Sequence, residues 1–274
     1  GPVLAAQFGY LPGALWILIG SVAAGAVHDM IMLFASVRFD GESIAEIAKR
    51  TLGKRIGFIT SISVIFILII TMAGLGLPVV NSLYNSPWGT FTVGATIPIA
   101  ILVGIYLRYI RPGRIGEATI IGMTLIMLAV IFGPQIEGTA LGHFLTLDTK
   151  QLSVILVIYG FCAAALPVWL LLLPRDYLST YMKLGVIGAL VVGIILVRPN
   201  LEMPAVTQYI HGGGPVVNGK VFPFLFITIA CGALSGFHSL ISTGTTPKLI
   251  KNEKDIFPIG YGSMLLEAFV SLMA

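Results

Sequence analysis

The sequence predicts an all-α, polytopic membrane protein of about eight spans plus a broken-helix fragment, from its composition, its apolar segment lengths and the distribution of its basic residues. The 274 residues are 57% hydrophobic and 10% charged, with mean hydropathy +0.97, whereas soluble domains run at roughly 45–50% apolar and about 25% charged. Apolar runs near the roughly 20 residues that cross a hydrocarbon core of about 30 Å cover approximately 12–37, 57–80, 93–108, 115–134, 152–174, 181–197, 221–246 and 257–274. Of the 16 Lys and Arg, alternate connecting loops hold 13 and 3. The positive-inside bias puts the larger set in the cytoplasm, so residue 12 starts outside. Those loops also account for the net charge of +4. The lipid bilayer is the implied partner, and no nucleic acid is. Cys162 and Cys231 both lie in apolar runs, so no disulfide framework, metal or cofactor is implied. The chain opens on Gly1 and stops within an apolar run, as a fragment of a longer protein would.

Taken in order, Gly1-Pro2 opens an apolar piece, VLAAQFGYLPG, too short to cross a bilayer alone. In the first cytoplasmic loop, Ser43 and Glu46 have capping-box spacing, and Ile44, Ile47 and Ala48 share a helical face. That predicts a short interfacial helix, either a gate element or a surface connector. The stretch 160–178, GFCAAALPVWLLLLPRDYL, is interrupted by proline. Pro167 lacks an N–H and clashes with the preceding turn, so a helix should stop near Ala165 and restart with Pro167 in its first turn. Broken helices at membrane depth are tolerated where they are buried in protein or line a cavity. Two of them, one in each half, point to a transporter's substrate site; the packing alternative is a pair of kinks. The outer loop 198–220, rich in Gly and Pro, reads as a lid or as a linker.

By this orientation the pieces beginning at Pro2 and Pro167 run in opposite directions, as inverted repeats require. Residues 1–134 would be the first repeat and 152–274 a second, incomplete one, within a single transmembrane core spanning 1–274. Hydropathy, breaks and direction carry this, not residue similarity between the halves.

Ionisable groups inside the spans are few: His28, Asp29, His238 and Glu267, with Glu117 and the Arg175-Asp176 pair at span edges. Such groups are costly in a membrane and face the bundle interior, as functional groups or as structural pairs. Counted from Arg38, Lys248 and Phe257, residues Asp29, His238 and Glu267 lie nine, ten and ten positions inward, about 13–15 Å at 1.5 Å per residue. Three spans thus place titratable groups at one depth. The segment from Ser235 to Thr246 is rich in hydroxyls, which suit either a hard cation such as Na⁺ or hydrogen bonds between helices. Enzyme motifs are missing: there is no HExxH, no GxSG around Ser235 and no GxxxxGK[ST]. No enzyme is expected.

Four stretches, GPVLAAQFGYLPG at 1–13, WILIGSVAAGAVHDM at 16–30, SGFHSLISTGTTPK at 235–248 and IGYGSMLLEAF at 259–269, resemble the carbon starvation protein A family of bacterial and archaeal inner-membrane proteins. The resemblance covers nearly the whole chain. It implies a multi-pass symporter of the cytoplasmic membrane that imports peptides or pyruvate under nutrient limitation, with a five-plus-five inverted-repeat (LeuT-like) core. Peptides and pyruvate both carry a carboxylate, and helix N-termini favour anions. The expected substrate lining is therefore Gly1, Pro2, Gln7, Ala164, Ala165, Leu166, Pro167 and Trp169. Proton coupling is expected through His28, Asp29, His238 and Glu267. The Na⁺ alternative rests on Ser239, Ser242 and Thr243; a channel-like or scaffolding subunit is the rival class.

Overall fold

A computed structural model describes residues 2–167, 169–244 and 246–273. The described residues are mostly helical, without strands. They form two compact units, residues 1–70 with 194–274 and residues 71–193.

In the first unit, α1 (Pro2–Phe8) ends at Gly9, whose φ of 93° turns the chain into α2 (Tyr10–Gly20). A π-helical turn, Ser21–Gly25, leads into α3 (Ala26–Arg38). The short α4 (Ile44–Leu52) starts as expected, with Ser43 Oγ accepting from the Glu46 N–H, while the Glu46 side chain turns to Lys49 instead of closing the box. Helix α5 (Lys54–Leu83) begins in this unit. The loop 198–220 then folds back on α1. Tyr10 and Leu11 donate to the carbonyls of Pro204 and Ala205, and Thr207 N–H donates to Phe8 O. The first amides of α2 are therefore occupied, because α2 takes its cap from the loop. Leu4, Phe8, Ile17, Leu225, Ile229 and Ala268 close an apolar core beneath.

The expected seventh span, 221–246, is not one helix. It divides into α11 (Val221–Thr228), α12 (Ala230–Ala233) and α13 (His238–Ile241), with Leu234 extended at φ −159°, ψ 97°. A glycine-rich, hydroxyl-rich sequence with weak helix propensity explains the interruption. The last segment opens with a π turn, Phe257–Tyr261, and runs on as α14 (Gly262–Met273).

In the second unit, α6 (Pro87–Ile105) is capped by Ser86 and starts on Pro87, and α7 (Ile115–Phe132) packs against it over Ile99, Val103, Ala118, Ile126 and Leu178. After α8 (Ala140–Leu145), α9 (Thr149–Ala165) begins with a reciprocal Asp148–Gln151 capping box. It stops at Ala165 as expected. The restart differs: Leu166, ahead of a proline, is extended, and a turn closed by Leu170 N–H on Pro167 O delays α10 to Leu172–Val197. Helix α10 thus runs through 175–180, which the apolar pattern leaves between two spans. Gly104 admits this turn, since a Cβ there would sit 2.9 Å from Leu170 O.

Six helical stretches are long and apolar enough to cross a membrane among the described residues. The other two expected segments are the 17-residue α9 and the interrupted 221–246 stretch. Together they make a multi-pass membrane protein.

Candidate functional site

Three segments of the first unit meet where the helices are least regular. The π turn Ser21–Gly25 precedes α3 and places Asp29 in its first turn. The interruption at 234–237 frees His238 to begin α13. The π turn Phe257–Tyr261 sets the phase of α14 and of Glu267. Such turns are rare and often mark functional positions. Glycine makes the approach possible: a Cβ on Gly260 would lie 2.8 Å from Met30 Cα, and one on Gly20 would lie 2.9 Å from Ala233 Cβ.

The side chains form one row. His28 Nδ1 lies 2.9 Å from Asp29 Oδ1, and Asp29 Oδ2 lies 2.8 Å from His238 Nδ1. His238 Nε2 is 3.1 Å from Glu267 Oε2, and the Cys231 thiol donates to Glu267 Oε1 over 3.3 Å. Side-chain exposure is 32% at His28, 8% at Asp29, 17% at His238 and 37% at Glu267, so the row is most buried at Asp29 and more open at both ends. If both carboxylates are ionised, both nitrogens of His238 must donate and the ring is a cation. A neutral ring has one accepting nitrogen, and the carboxyl facing that nitrogen must then hold the proton. One proton therefore has three neighbouring seats. A cavity of about 260 Å³ opens beside them, lined by Asp29, His238, Ser242, Ser263 and Glu267.

The hydroxyls nearby divide. Ser239 donates to Gly236 O and Thr243 to Ser239 O, both inside the α13 turn, whereas Ser242 Oγ is buried without a partner among the described residues. Cys231 Sγ, a His238 nitrogen and a Glu267 oxygen lie within 4.8 Å of one another. These three offer one thiol, one imidazole and one carboxylate as possible metal ligands, and Asp29 holds the other imidazole nitrogen. Cys231 is the member that sequence reasoning missed. Its seven-residue spacing from His238 is no metal motif, and the broken helix decides where it points.

The structure thus brings together Asp29, His238 and Glu267, with His28 at the end of the row, Ser242 on the cavity wall, and Ser239 and Thr243 behind it. Of the expected substrate residues, Gly1 lies outside the described residues. Pro2 is exposed, and Gln7 is buried with both amide atoms engaged: Nε2 donates to Val217 O, and Oε1 accepts from the N–H groups of Val216 and Val217. In the second unit Ala164, Ala165 and Pro167 are exposed, Leu166 is half-buried, and Trp169 carries the Arg108 guanidinium 4.3 Å above its ring.

The family described as carbon starvation protein CstA matches residues 1–274. The chain is 54% identical over 274 residues to the peptide transporter CstA of Bacillus subtilis (strain 168), covering all of this chain and 46% of that protein. It is 54% identical over 275 residues to the pyruvate/proton symporter BtsT of Escherichia coli (strain K12), covering all of this chain and 38% of the symporter. It is 49% identical over 276 residues to the peptide transporter CstA of Mycobacterium tuberculosis (strain ATCC 25618 / H37Rv), all of this chain and 36% of that protein. The chain therefore spans less than half the length of these relatives. No solved structure matches. With the match running from the first residue to the last, this chain belongs to the carbon starvation protein CstA family.

Proposed function

We propose that the protein to which this chain belongs is a proton-coupled symporter that imports peptides or pyruvate-like carboxylates across the cytoplasmic membrane. The observation that carries this is the Asp29–His238–Glu267 row: three titratable side chains from three separate segments, in hydrogen-bond distance, beside a cavity at membrane depth. The relatives' names supply the substrate classes, and one of them names the proton. The interruption at 234–237 supports the same reading, since transporters put coupling sites at discontinuous helices. The inverted repeats 1–134 and 152–274 belong to this proposal as its symmetry.

A Na⁺-coupled carrier is the second reading. It rests on the unpartnered Ser242 Oγ, which faces the same cavity. Uptake of labelled dipeptide or pyruvate into sodium-free vesicles holding the full-length protein, driven by an imposed pH gradient, separates the two. Gradient-driven accumulation that Asp29→Asn abolishes is the expected outcome. Sodium-dependent uptake that ignores the gradient and survives the substitution would transfer the role to Ser242.

A further inference from the structure

We propose that Arg175 receives the substrate's carboxylate, in a cavity of about 430 Å³ inside the second unit. This assignment rests on the transporter reading above and gives it a binding residue.

Arg175 stands in the first turn of α10. Its Nε donates to Thr96 Oγ1 over 3.4 Å, and its Nη1 donates to the Tyr159 hydroxyl. The guanidinium carbon lies 4.8 Å from the Tyr159 ring centroid. Thr96 is nine residues from each end of α6, about 14 Å from either at 1.5 Å per residue. The charge therefore sits level with the middle of a membrane-spanning helix, where an unpaired cation is costly.

Among the described residues no carboxylate pairs with Arg175 to offset that cost. Arg38, Arg50, Arg111 and Arg114 each pair with a glutamate, but among the described residues no carboxylate oxygen comes within 4.0 Å of Arg175. Its Nη2 is left without a partner among those residues. A second feature of the same cavity is unsatisfied: Thr92 Oγ1 is buried, lines the space and has no hydrogen-bond partner among the described residues. Lys183 and Asp176 also face the cavity, so two cations and one carboxylate leave its lining with a net charge of +1. A carboxylate suits all of this. It accepts the planar fork of a guanidinium on two oxygens and has lone pairs to spare for a hydroxyl. The volume falls in the roughly 300–1,000 Å³ range of small-molecule sites, enough for a keto acid or a dipeptide. Tyr159, whose ring and hydroxyl hold the guanidinium in place, is a positioning residue.

The test is equilibrium binding to the purified full-length protein, comparing pyruvate and dialanine with their methyl ester and amide counterparts. The free acids should bind at least tenfold more tightly than the neutral analogues. Arg175→Gln should bring the acids down to the neutral analogues' level without weakening those further, and Arg175→Lys should recover part of the loss. Equal affinity of acid and ester for the parent, or unchanged acid binding in Arg175→Gln, overturns the assignment. If Arg175→Gln does not fold, Thr92→Val serves: a several-fold loss confined to the acids supports the site, and no loss overturns it. Uptake keeps the two proposals apart. Acid-selective binding without gradient-driven uptake refutes the symporter and leaves the site standing. Uptake with an unchanged KM in Arg175→Gln refutes the site and leaves the symporter.

Discussion

Each unit holds a cluster of charge among its apolar helices, and the two are built on opposite principles. In the first unit's row each ionisable side chain faces one of the other kind: Asp29 lies between two histidines, and His238 lies between two carboxylates. In the second, the Arg175 guanidinium donates to a threonine hydroxyl and a phenol and lies over an aromatic face, with no carboxylate oxygen within 4.0 Å among the described residues. A self-compensated row can pass a proton along without changing its own net charge. An uncompensated guanidinium instead favours whatever anion arrives. The difference teaches that the location of a charge in a membrane protein says less about its job than the partners that surround it.

The largest effect should follow from breaking the first cluster at its most buried member. Asp29→Asn removes one seat for the proton while keeping the shape and one acceptor of the side chain. Accumulation driven by a pH gradient should fall to background. Exchange of labelled for unlabelled substrate with no gradient should continue, because it needs no net proton movement. Loss of both activities together would make Asp29 a structural residue.

Next in size is the close approach that brings the row together. Gly260→Ala puts a Cβ 2.8 Å from Met30 Cα, backbone against side chain with nothing flexible to move aside. Overpacking of that kind costs about 1–3 kcal/mol, and here it also pushes α3, with Asp29, away from the last segment. Gly262, two residues on, has nothing within 4 Å of its missing Cβ. Thermal unfolding and gradient-driven uptake should both suffer in Gly260→Ala and neither in Gly262→Ala.

Much of this was legible in the sequence, for identifiable reasons. Apolar length placed the spans, proline placed the end of α9 at Ala165, and Ser43 placed the start of α4. Counting residues along the spans put Asp29, His238 and Glu267 at one level, and the side chains do meet, although the count for His238 ran along a helix that the structure interrupts. What could not be read was the interruption at 234–237, because a glycine- and serine-rich apolar run has no proline to announce a break. Without that break Cys231 could not be placed beside Glu267. The delayed start of α10 at Leu172 was equally hidden. It depends on the turn settling against Gly104, a tertiary contact that local propensity does not encode. Hence Arg175 read as a span-edge residue, although its side chain reaches the middle of α6.

A smaller effect is expected at Gln7, whose amide ties the outer loop to α1 with three hydrogen bonds. Gln7→Leu keeps the bulk but leaves the Val216 and Val217 N–H groups unpaired, at a cost of about 1–3 kcal/mol. Limited proteolysis within 198–220 should become faster, while the acid-over-ester preference in binding should not change. A lost preference would instead make Gln7 a substrate contact, as its place among the expected lining residues had suggested.

The smallest effect belongs to the arginine that serves as the control for Arg175. Arg38 pairs with Glu253 at 3.2 Å, but the two side chains are 56% and 58% exposed. Water screens such a pair and two long side chains lose freedom to hold it, so it contributes at most about 1 kcal/mol and less as salt rises. Its guanidinium also lies 5.3 Å from the Phe34 ring centroid, a contact of similarly modest value where water has access. Arg38→Gln should therefore shift thermal unfolding only slightly, with the shift vanishing in high salt, and should leave the KM for pyruvate and dialanine unchanged. Both substitutions remove one positive charge from an arginine. If Arg38→Gln raised KM as much as Arg175→Gln does, the decisive quantity would be the protein's overall charge, and the contrast between a compensated and an uncompensated arginine would fail.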